Sequence, residues 1–480
     1  MTNAYIIIDF GTGNLRAAVV STAGTVLGAA REDIPYIRDD QYPDAIYFDP
    51  QALWSRILDR TREALAQAGP VHIQAITATS QREGIVVLDA AGAPVVGMPN
   101  IDHRGRQWED RIADKSLVYR LTGRYPTSLF SALKLVGLRA VREEWWQPEG
   151  TFLSISDWIE YMFCGVVHYE HSQASETLLY DVERKNWSEA LCDLFSLPFS
   201  LLPPLTSSGT VLETIKPSIA EALSVNRGAS LIVGGADTQL AALSTRANAG
   251  DVVIVSGTTT PIIKLSASYD LDAQQRTWTG RHIDKDSYMV EANAGVTGLN
   301  YQRLKKIFYP NEGYEVIEAE LRSVTDFQCI ASLGSLVADE KEPLIKGGFI
   351  FNTPVNQELT RAGMVWATLW DIACSIFENY KTLVSVTPNE RPYIWTCGGG
   401  MESKVLRQFI ADLTGKEIRI RDNYRHASVV GGMMICNGSL GVEEAQTDLY
   451  EQVRPAASAQ QRDHFYDRWK EHRALLKKIF

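Results

Sequence analysis

Tyr5-Ile-Ile-Ile-Asp-Phe-Gly-Thr-Gly-Asn14 runs on into Leu15-Arg-Ala-Ala-Val-Val20, and Val252-Val-Ile-Val-Ser-Gly-Thr-Thr-Thr260 runs on into Pro261-Ile-Ile-Lys-Leu265. In each, a short apolar run reads as a buried strand, glycine lets the backbone turn, and a second apolar run returns as a hairpin. Hydroxyls and backbone N–H groups gathered at such a turn form a concave donor surface that suits phosphate oxygens. Two cradles of this kind predict one polyphosphate held between two related halves.

A chain of 480 residues exceeds the size at which a single core keeps growing, so two domains are expected. Hydrophobic content of 45% and charged content of 22% are ordinary for a globular enzyme. The net charge of −11, with no Lys/Arg block, argues against nucleic acid as a partner. Met-Thr-Asn-Ala at the start lacks the layout of a signal peptide, and no apolar run approaches the ~20 residues of a membrane span, which makes the cytoplasm the expected compartment. Cys164, Cys192, Cys329, Cys374, Cys397 and Cys436 lack C-x-x-C spacing and read as reduced, mostly buried thiols.

After the opening hairpin, Asp49 as cap, Pro50 in the first turn, the stripe Leu53, Trp54, Ile57, Leu58 and Leu65, and the stop Gly69-Pro70 predict a helix. Val71 to Thr79 follows as a strand that delivers Ser80-Gln-Arg-Glu-Gly84 at its carboxyl end, where open α/β sheets bind ligands. The competing reading of Gln81, Arg82 and Glu83 is a surface ion pair. Asn100-Ile-Asp-His-Arg104 adds another carboxylate and guanidinium, or is an ordinary polar loop. Leu231-Ile-Val-Gly-Gly-Ala-Asp-Thr-Gln239 repeats the strand-and-turn grammar and presents Asp237, as a cleft carboxylate, a helix cap, or both. Thr396-Cys-Gly-Gly-Gly400 removes successive Cβ atoms where a strand gives way to a helix, so a flat group such as adenosine could lie on the backbone.

Asp9-Phe-Gly-Thr-Gly-Asn-Leu-Arg16, Gln81-Arg-Glu83, the turn ending at Gln239, Ser256-Gly-Thr258, Gly295-Val-Thr-Gly298 and Gly398-Gly-Gly-Met-Glu-Ser403 resemble, in order and spacing, the FGGY carbohydrate kinases of the actin-like ATPase superfamily. The resemblance spans roughly residues 5 to 440. It implies an α/β fold of two ribonuclease-H-like domains flanking a deep cleft, with the sugar and catalytic side in 1–242 and ATP mainly in 243–480. It further implies ATP and Mg²⁺, with Asp237 as the general base and Asp9 holding the metal through water. Thr12, Gly13, Asn14 and Arg16 would face the γ-phosphate, and Gly257 and Thr258 the other phosphates. Gly298 and Gln302 would meet the ribose region, Gly399, Gly400 and Ser403 the adenosine. Arg82, Glu83, Asp102 and Gln239 resemble readers of sugar hydroxyls.

Gln-Arg-Glu resembles glycerol kinases and autoinducer-2 kinases, while the Gln-Met-His-Gly of xylulokinases is absent. Asn100-x-Asp-x-Arg104, Arg82-Glu-Gly-Ile-Val86 and Ile155-Ser-Asp-Trp158 resemble the autoinducer-2 branch and imply a short open-chain polyol, diketone or pentulose-sized ketose. Xylulokinase- or glycerol kinase-like specificity is the alternative. Tyr424-Arg-His-Ala-Ser428 departs from the acidic-alanine pattern of relatives, which bears on packing around the nucleotide. The charged stretch from Gln460 to Phe480, with Phe465, Trp469, Leu476 and Phe480 near one stripe, reads as a helix docked on the body. An actin- or Hsp70-like assembly ATPase and a silent sugar sensor are the rivals from other classes. No membrane partner is expected, and a homodimer is left open.

Overall fold

The computed structural model describes residues 1–284, 286–340, 342–355, 357–443 and 449–479. The first hairpin forms as read: Thr2–Phe10 pairs antiparallel with Asn14–Ser21, which pairs with Val26–Asp33. On its other side Thr2–Phe10 runs parallel to Val71–Ser80, beyond which lie Ser230–Ile232 and Val211–Thr214. The crossover is the helix Pro50–Ala68. The Asp49 carboxylate caps it by accepting from Gln51 N (2.8 Å) and Ala52 N (3.1 Å). Leu53, Trp54 and Ile57 on its inner face are buried against this sheet.

The second half repeats the plan. Val252–Val255 and Thr259–Ser266 form the antiparallel hairpin, extended by Tyr288–Val296 and Trp278–Arg281. Tyr393–Cys397 and Glu417–Arg421 continue it in parallel, with Tyr450–Val453 at the edge. Two seven-stranded mixed sheets with the same grammar are the two ribonuclease-H-like lobes that the resemblance implied. The long helix Arg361–Val386 and the helix Lys404–Thr414 cover the second sheet.

One helix belongs to the second half in sequence and to the first in packing. Val429, Met433 and Cys436 of Ala427–Leu440 are buried with Tyr5, Ile7, Ala75 and Ile232 of the first sheet. The C-terminal helix Ala459–Ile479 docks as expected. Trp469 is 1% exposed and donates to Asp371 Oδ1 at 2.8 Å, and Phe465 packs on Phe327; Phe480 lies outside the described residues. All six cysteines are free thiols, five of them buried. No described helix is long and apolar enough to cross a membrane.

Candidate active site

Three strand ends of the first sheet meet at one point. Asp9 lies opposite Thr79, and Gly235 lies against the same Thr79 from the other side. Because these segments run parallel, Asp9, the residues after Ser80 and Asp237 all emerge at carboxyl ends.

Asp237 is the first residue of the helix Asp237–Ser244, and Ala236 occupies the cap position. The cap reading of Asp237 is thereby corrected. Its Oδ1 accepts from its neighbour, Thr238 N (2.6 Å) and Thr238 Oγ1 (3.1 Å). Burial, reinforced by the charge of Asp9, lifts this carboxyl to about 7 against the opposing pull of Arg82 and Thr238. A carboxylate poised there is matched to accepting a proton near neutrality.

The turn carrying Asp237 is braced by side chains that sequence reasoning did not single out. Gly234 N donates to Glu160 Oε1 (2.8 Å), Ala236 N donates to Ser172 Oγ (3.1 Å), and Gly235 O accepts from Thr79 Oγ1 (2.8 Å). A Cβ at Gly235, whose φ is +152°, would lie 2.3 Å from Ile283 Cδ1, so only glycine fits there. Glu160 also accepts from Ala78 N (3.1 Å) and from His168 Nε2 (2.9 Å). Among the described residues, Asp157, Glu160 and His168 are the one trio close enough to share a metal. They form an ion network: burial works against the His168 charge, but hydrogen bonds to Asp157 and Glu160 prevail and raise it to about 11.

On the phosphate side, Gly11 N donates to Asn14 O (3.0 Å) and closes the hairpin, leaving Gly13 exposed at the tip. Thr12 Oγ1 accepts from Asn100 Nδ2 at 3.0 Å. Asp9 Oδ2 accepts from Arg16 Nη2 and from Ser428 Oγ (2.9 Å), while Arg16 Nη1 meets His426 Nδ1 at 2.9 Å. The departure at Tyr424–Ser428 therefore touches Asp9 and Arg16 directly, rather than only the packing around the nucleotide. Among the described residues, both hydrogen bonds to the Asp9 carboxylate fall on Oδ2, which leaves Oδ1 for a ligand. One open carboxylate oxygen beside a second carboxylate, Asp237, fits a divalent cation shared with phosphate oxygens.

The strand-end group is buried, which removes the surface ion-pair reading. Arg82 forks onto Glu291 of the second sheet, Nη1 to Oε2 at 2.5 Å and Nη2 to Oε1 at 2.9 Å. Burial opposes the charge of Arg82, but Glu291 and Glu176 hold it well above its ordinary value. Burial, with Glu176 adding, lifts Glu83 to about 8 although Arg82 pulls the other way. Gln81 Oε1 accepts from Asn100 N at 2.9 Å and its amide donates to Tyr36 Oη at 3.1 Å. Asp102 is fully buried, with Oδ1 accepting from Ile46 N and Oδ2 from Arg104 Nε, both at 2.8 Å, contacts that order its own loop. Gln239 is buried, donates to Arg281 O at 3.3 Å, and leaves Oε1 without a protein partner.

Across the cleft, Gly257 N donates to Thr259 O (2.9 Å) and closes the second hairpin, with Thr258 half-buried beside it. Gly298 opens the helix Gly298–Phe308 so close to that hairpin that a Cβ would lie 2.1 Å from Gly257 O. Gln302 on the same helix is exposed. The third glycine cluster is less open than expected. Cβ atoms at Gly398 and Gly400 would fall 2.4 Å from Ser256 O and 2.1 Å from Ser256 Oγ, so these glycines seat the turn against the second hairpin; only Gly399 faces open space. Ser403 caps the helix Lys404–Thr414 through Leu406 N.

Two family models match the chain, the N-terminal domain of the FGGY family of carbohydrate kinases over residues 4–244 and its C-terminal domain over 333–439. A Bacillus subtilis protein described as "Putative sugar kinase YoaC" is 46% identical over 97% of this chain and 96% of its own length. An Escherichia coli autoinducer-2 kinase is 23% identical over 93% of this chain and 88% of its own. In fold, the chain resembles the solved Plasmodium falciparum glycerol kinase with ADP, with a TM-score of 0.83 at 18% identity over 100% of this chain and 99% of that one. The chain belongs to the FGGY family of carbohydrate kinases and is a phosphotransferase.

Proposed function

We propose that this kinase transfers the γ-phosphoryl group of ATP to a hydroxyl of a short, open-chain ketose or polyol, autoinducer-2-like or pentulose-sized, with Asp237 as the general base. The observation that carries the reading is the setting of Asp237: a carboxyl held near 7, with Asp9 on one side and Arg82 on the other. Phosphoryl transfer asks mainly for positioning and charge stabilisation, and one base suffices for the acceptor proton.

The acceptor hydroxyl sits against Asp237, which takes its proton as the oxygen attacks the phosphorus in line. Arg82, Glu83 and Gln239 orient the remaining hydroxyls, and Asp102 fixes the loop that carries Asn100. The hairpin Gly11–Gly13 with Arg16 receives the γ-phosphate, and Gly257 and Thr258 with the start of the Gly298 helix receive the other phosphates. Gly298 and Gln302 flank the ribose, and Gly399, at the open point of its turn, adjoins the adenosine, with Gly400 and Ser403 shaping that turn. Asp9 would hold Mg²⁺ through water, and the metal would supply neutralisation of the phosphate charge. The likeness of Gln81-Arg-Glu83 and Asn100-x-Asp102 to autoinducer-2 kinases supports the open-chain acceptor.

A coupled ADP-release screen over glycerol, pentuloses, pentitols, hexuloses, the autoinducer-2 precursor and cyclic hexoses tests the assignment. Strong acceptor-dependent turnover with an open-chain compound is expected. Turnover confined to cyclic hexoses, or brisk hydrolysis independent of any acceptor, refutes it.

A further inference from the structure

Tyr424-Arg-His-Ala-Ser428 bridges the two ligand-binding halves of the site. On one side, Tyr424 O accepts from Gly398 N (2.8 Å) and Arg425 Nη2 donates to Glu402 Oε1 (2.7 Å), which ties the segment to the Gly398–Glu402 turn. On the other, His426 and Ser428 reach the first sheet, contacting Arg16 and Asp9 across more than four hundred residues of chain. Helix formation does not account for these contacts. His426 occupies the cap position of Ala427–Leu440 yet makes no capping hydrogen bond. A guanidinium has no acceptor, so Nδ1 of His426 is the acceptor and the imidazole is neutral with its proton on Nε2. Burial and the nearby Arg16 and Arg425 charges hold its pKa below the ordinary value, which favours that neutral form.

We infer that His426 and Ser428 are positioning residues for phosphoryl transfer. His426 draws Nη1 of Arg16 aside while Nη2 stays on Asp9, and Ser428 gives Asp9 Oδ2 a second donor, so the guanidinium plane and the carboxylate are both fixed before ATP arrives. Without them Arg16 is free to rotate about its pair with Asp9, and both groups meet the γ-phosphate less often in register. Because the segment hangs on the Gly398 turn, the register of the phosphate side is set from the nucleotide side.

The inference rests on assigning Asp9 and Arg16 to the phosphate side, and its test separates the two claims. His426→Ala, His426→Asn, Ser428→Ala, Arg16→Ala and the double variant His426→Ala/Arg16→Ala are compared by kcat, sugar KM, melting temperature and MgATP Kd from calorimetry. His426→Ala should lower kcat and weaken MgATP by on the order of tenfold, as for a charge-assisted hydrogen bond, with sugar KM unchanged. His426→Asn, which keeps an acceptor near Nδ1, should recover most of the loss, and His426→Ala should add nothing to Kd in the Arg16→Ala background. Parental kcat and Kd in a folded His426→Ala, or an equal loss with and without Arg16, overturns the inference. An unchanged MgATP Kd in Arg16→Ala overturns the phosphate-side assignment beneath it.

Discussion

Replacing Arg82 with alanine should damage stability and sugar recognition together, because its guanidinium joins the two lobes. The side chain is 8% exposed and that of Glu291 3%, and Glu176 Oε1 and Glu83 Oε1 lie 3.8 and 3.9 Å from the Arg82 fork. Truncation leaves three buried carboxylates, Glu83, Glu176 and Glu291, facing Arg124, already paired to Glu176, and Lys134. Removing one member of a buried pair costs ~3–5 kcal/mol, and at roughly 2–4 °C per kcal/mol the melting temperature should fall by ~6–20 °C. Glu291→Gln keeps the shape and leaves Glu176 and Glu83 near Arg82, so its loss should be smaller, ~1–3 kcal/mol.

The sign of the pH dependence follows from the carboxyls. In the parent, Arg82 holds Glu291 below its ordinary value and opposes the rise of Glu83, which still reaches about 8. Without Arg82 both carboxyls titrate higher, so the folded variant binds more protons than the unfolded chain in the neutral range. Its defect is then largest above about pH 8 and shrinks as the medium is acidified toward pH 6. In steady-state kinetics, Arg82→Ala should raise the sugar KM and lower kcat/KM by roughly 1–3 kcal/mol, while the ATP KM moves less. Thermal unfolding at the two pH values and paired KM measurements decide it. A melting temperature within ~2 °C of the parent, or a defect that deepens on acidification, refutes the bridge.

With Asp237 at about 7 in the free enzyme, kcat/KM for the sugar should rise with pH through about 7, because the base must be ionised; a pH–rate profile flat from about 5.5 to 8 refutes the base. Glu160→Gln should cost ~1–3 kcal/mol, since it removes one of the two carboxylates paired to buried His168 and leaves Asp157, and should lower kcat by loosening the Gly234–Asp237 turn. His168 is raised in the folded state to about 11, so its pairing stabilises fully below the unfolded value of about 6.5 and is lost as pH rises through 11. Denaturant titrations should show that alkaline slope in the parent and a weaker one in Glu160→Gln. Trp469→Ala should lose ~3–5 kcal/mol and take from Asp371 Oδ1 its indole donor while Leu333 N stays on Oδ2, yet the enzyme that remains folded should keep its parental KM values, since the C-terminal helix packs on Arg361–Val386 and Ile330–Ser332.

Both hairpins, the Asp49-capped helix and the strand that delivers Gln81-Arg-Glu83 were legible because each is a local pattern: an apolar run, a turn residue, a cap. Asp237 was legible as a carboxylate at a strand-end turn, but its tuning was not, since that comes from Asp9 and Arg82, far away in sequence. The same holds for Glu160, Ser172 and Glu291. Each is an ordinary polar residue in its own neighbourhood and acquires a role only through a partner brought to it by the sheet. The loop bonds of Asp102 to Ile46 N and Arg104 were equally illegible, since Ile46 lies far away in sequence. Glycine runs mislead in the same way, for Gly398 and Gly400 serve packing on Ser256 and leave Gly399 alone facing open space. The helix Ala427–Leu440 follows the second half in sequence while its apolar residues match the first sheet, a pairing that no local pattern carries.

The central claim is tested most directly by Asp237→Asn, which keeps the shape of the side chain and abolishes proton acceptance. Single-turnover transfer from ATP to the preferred acceptor should slow by on the order of 10²–10⁴, while calorimetry shows MgATP binding retained and the unfolding transition stays cooperative. Above about pH 7 the variant should also be no less stable than the parent, since it removes a partly buried charge beside Asp9. Transfer at the parental rate by purified Asp237→Asn contradicts the account.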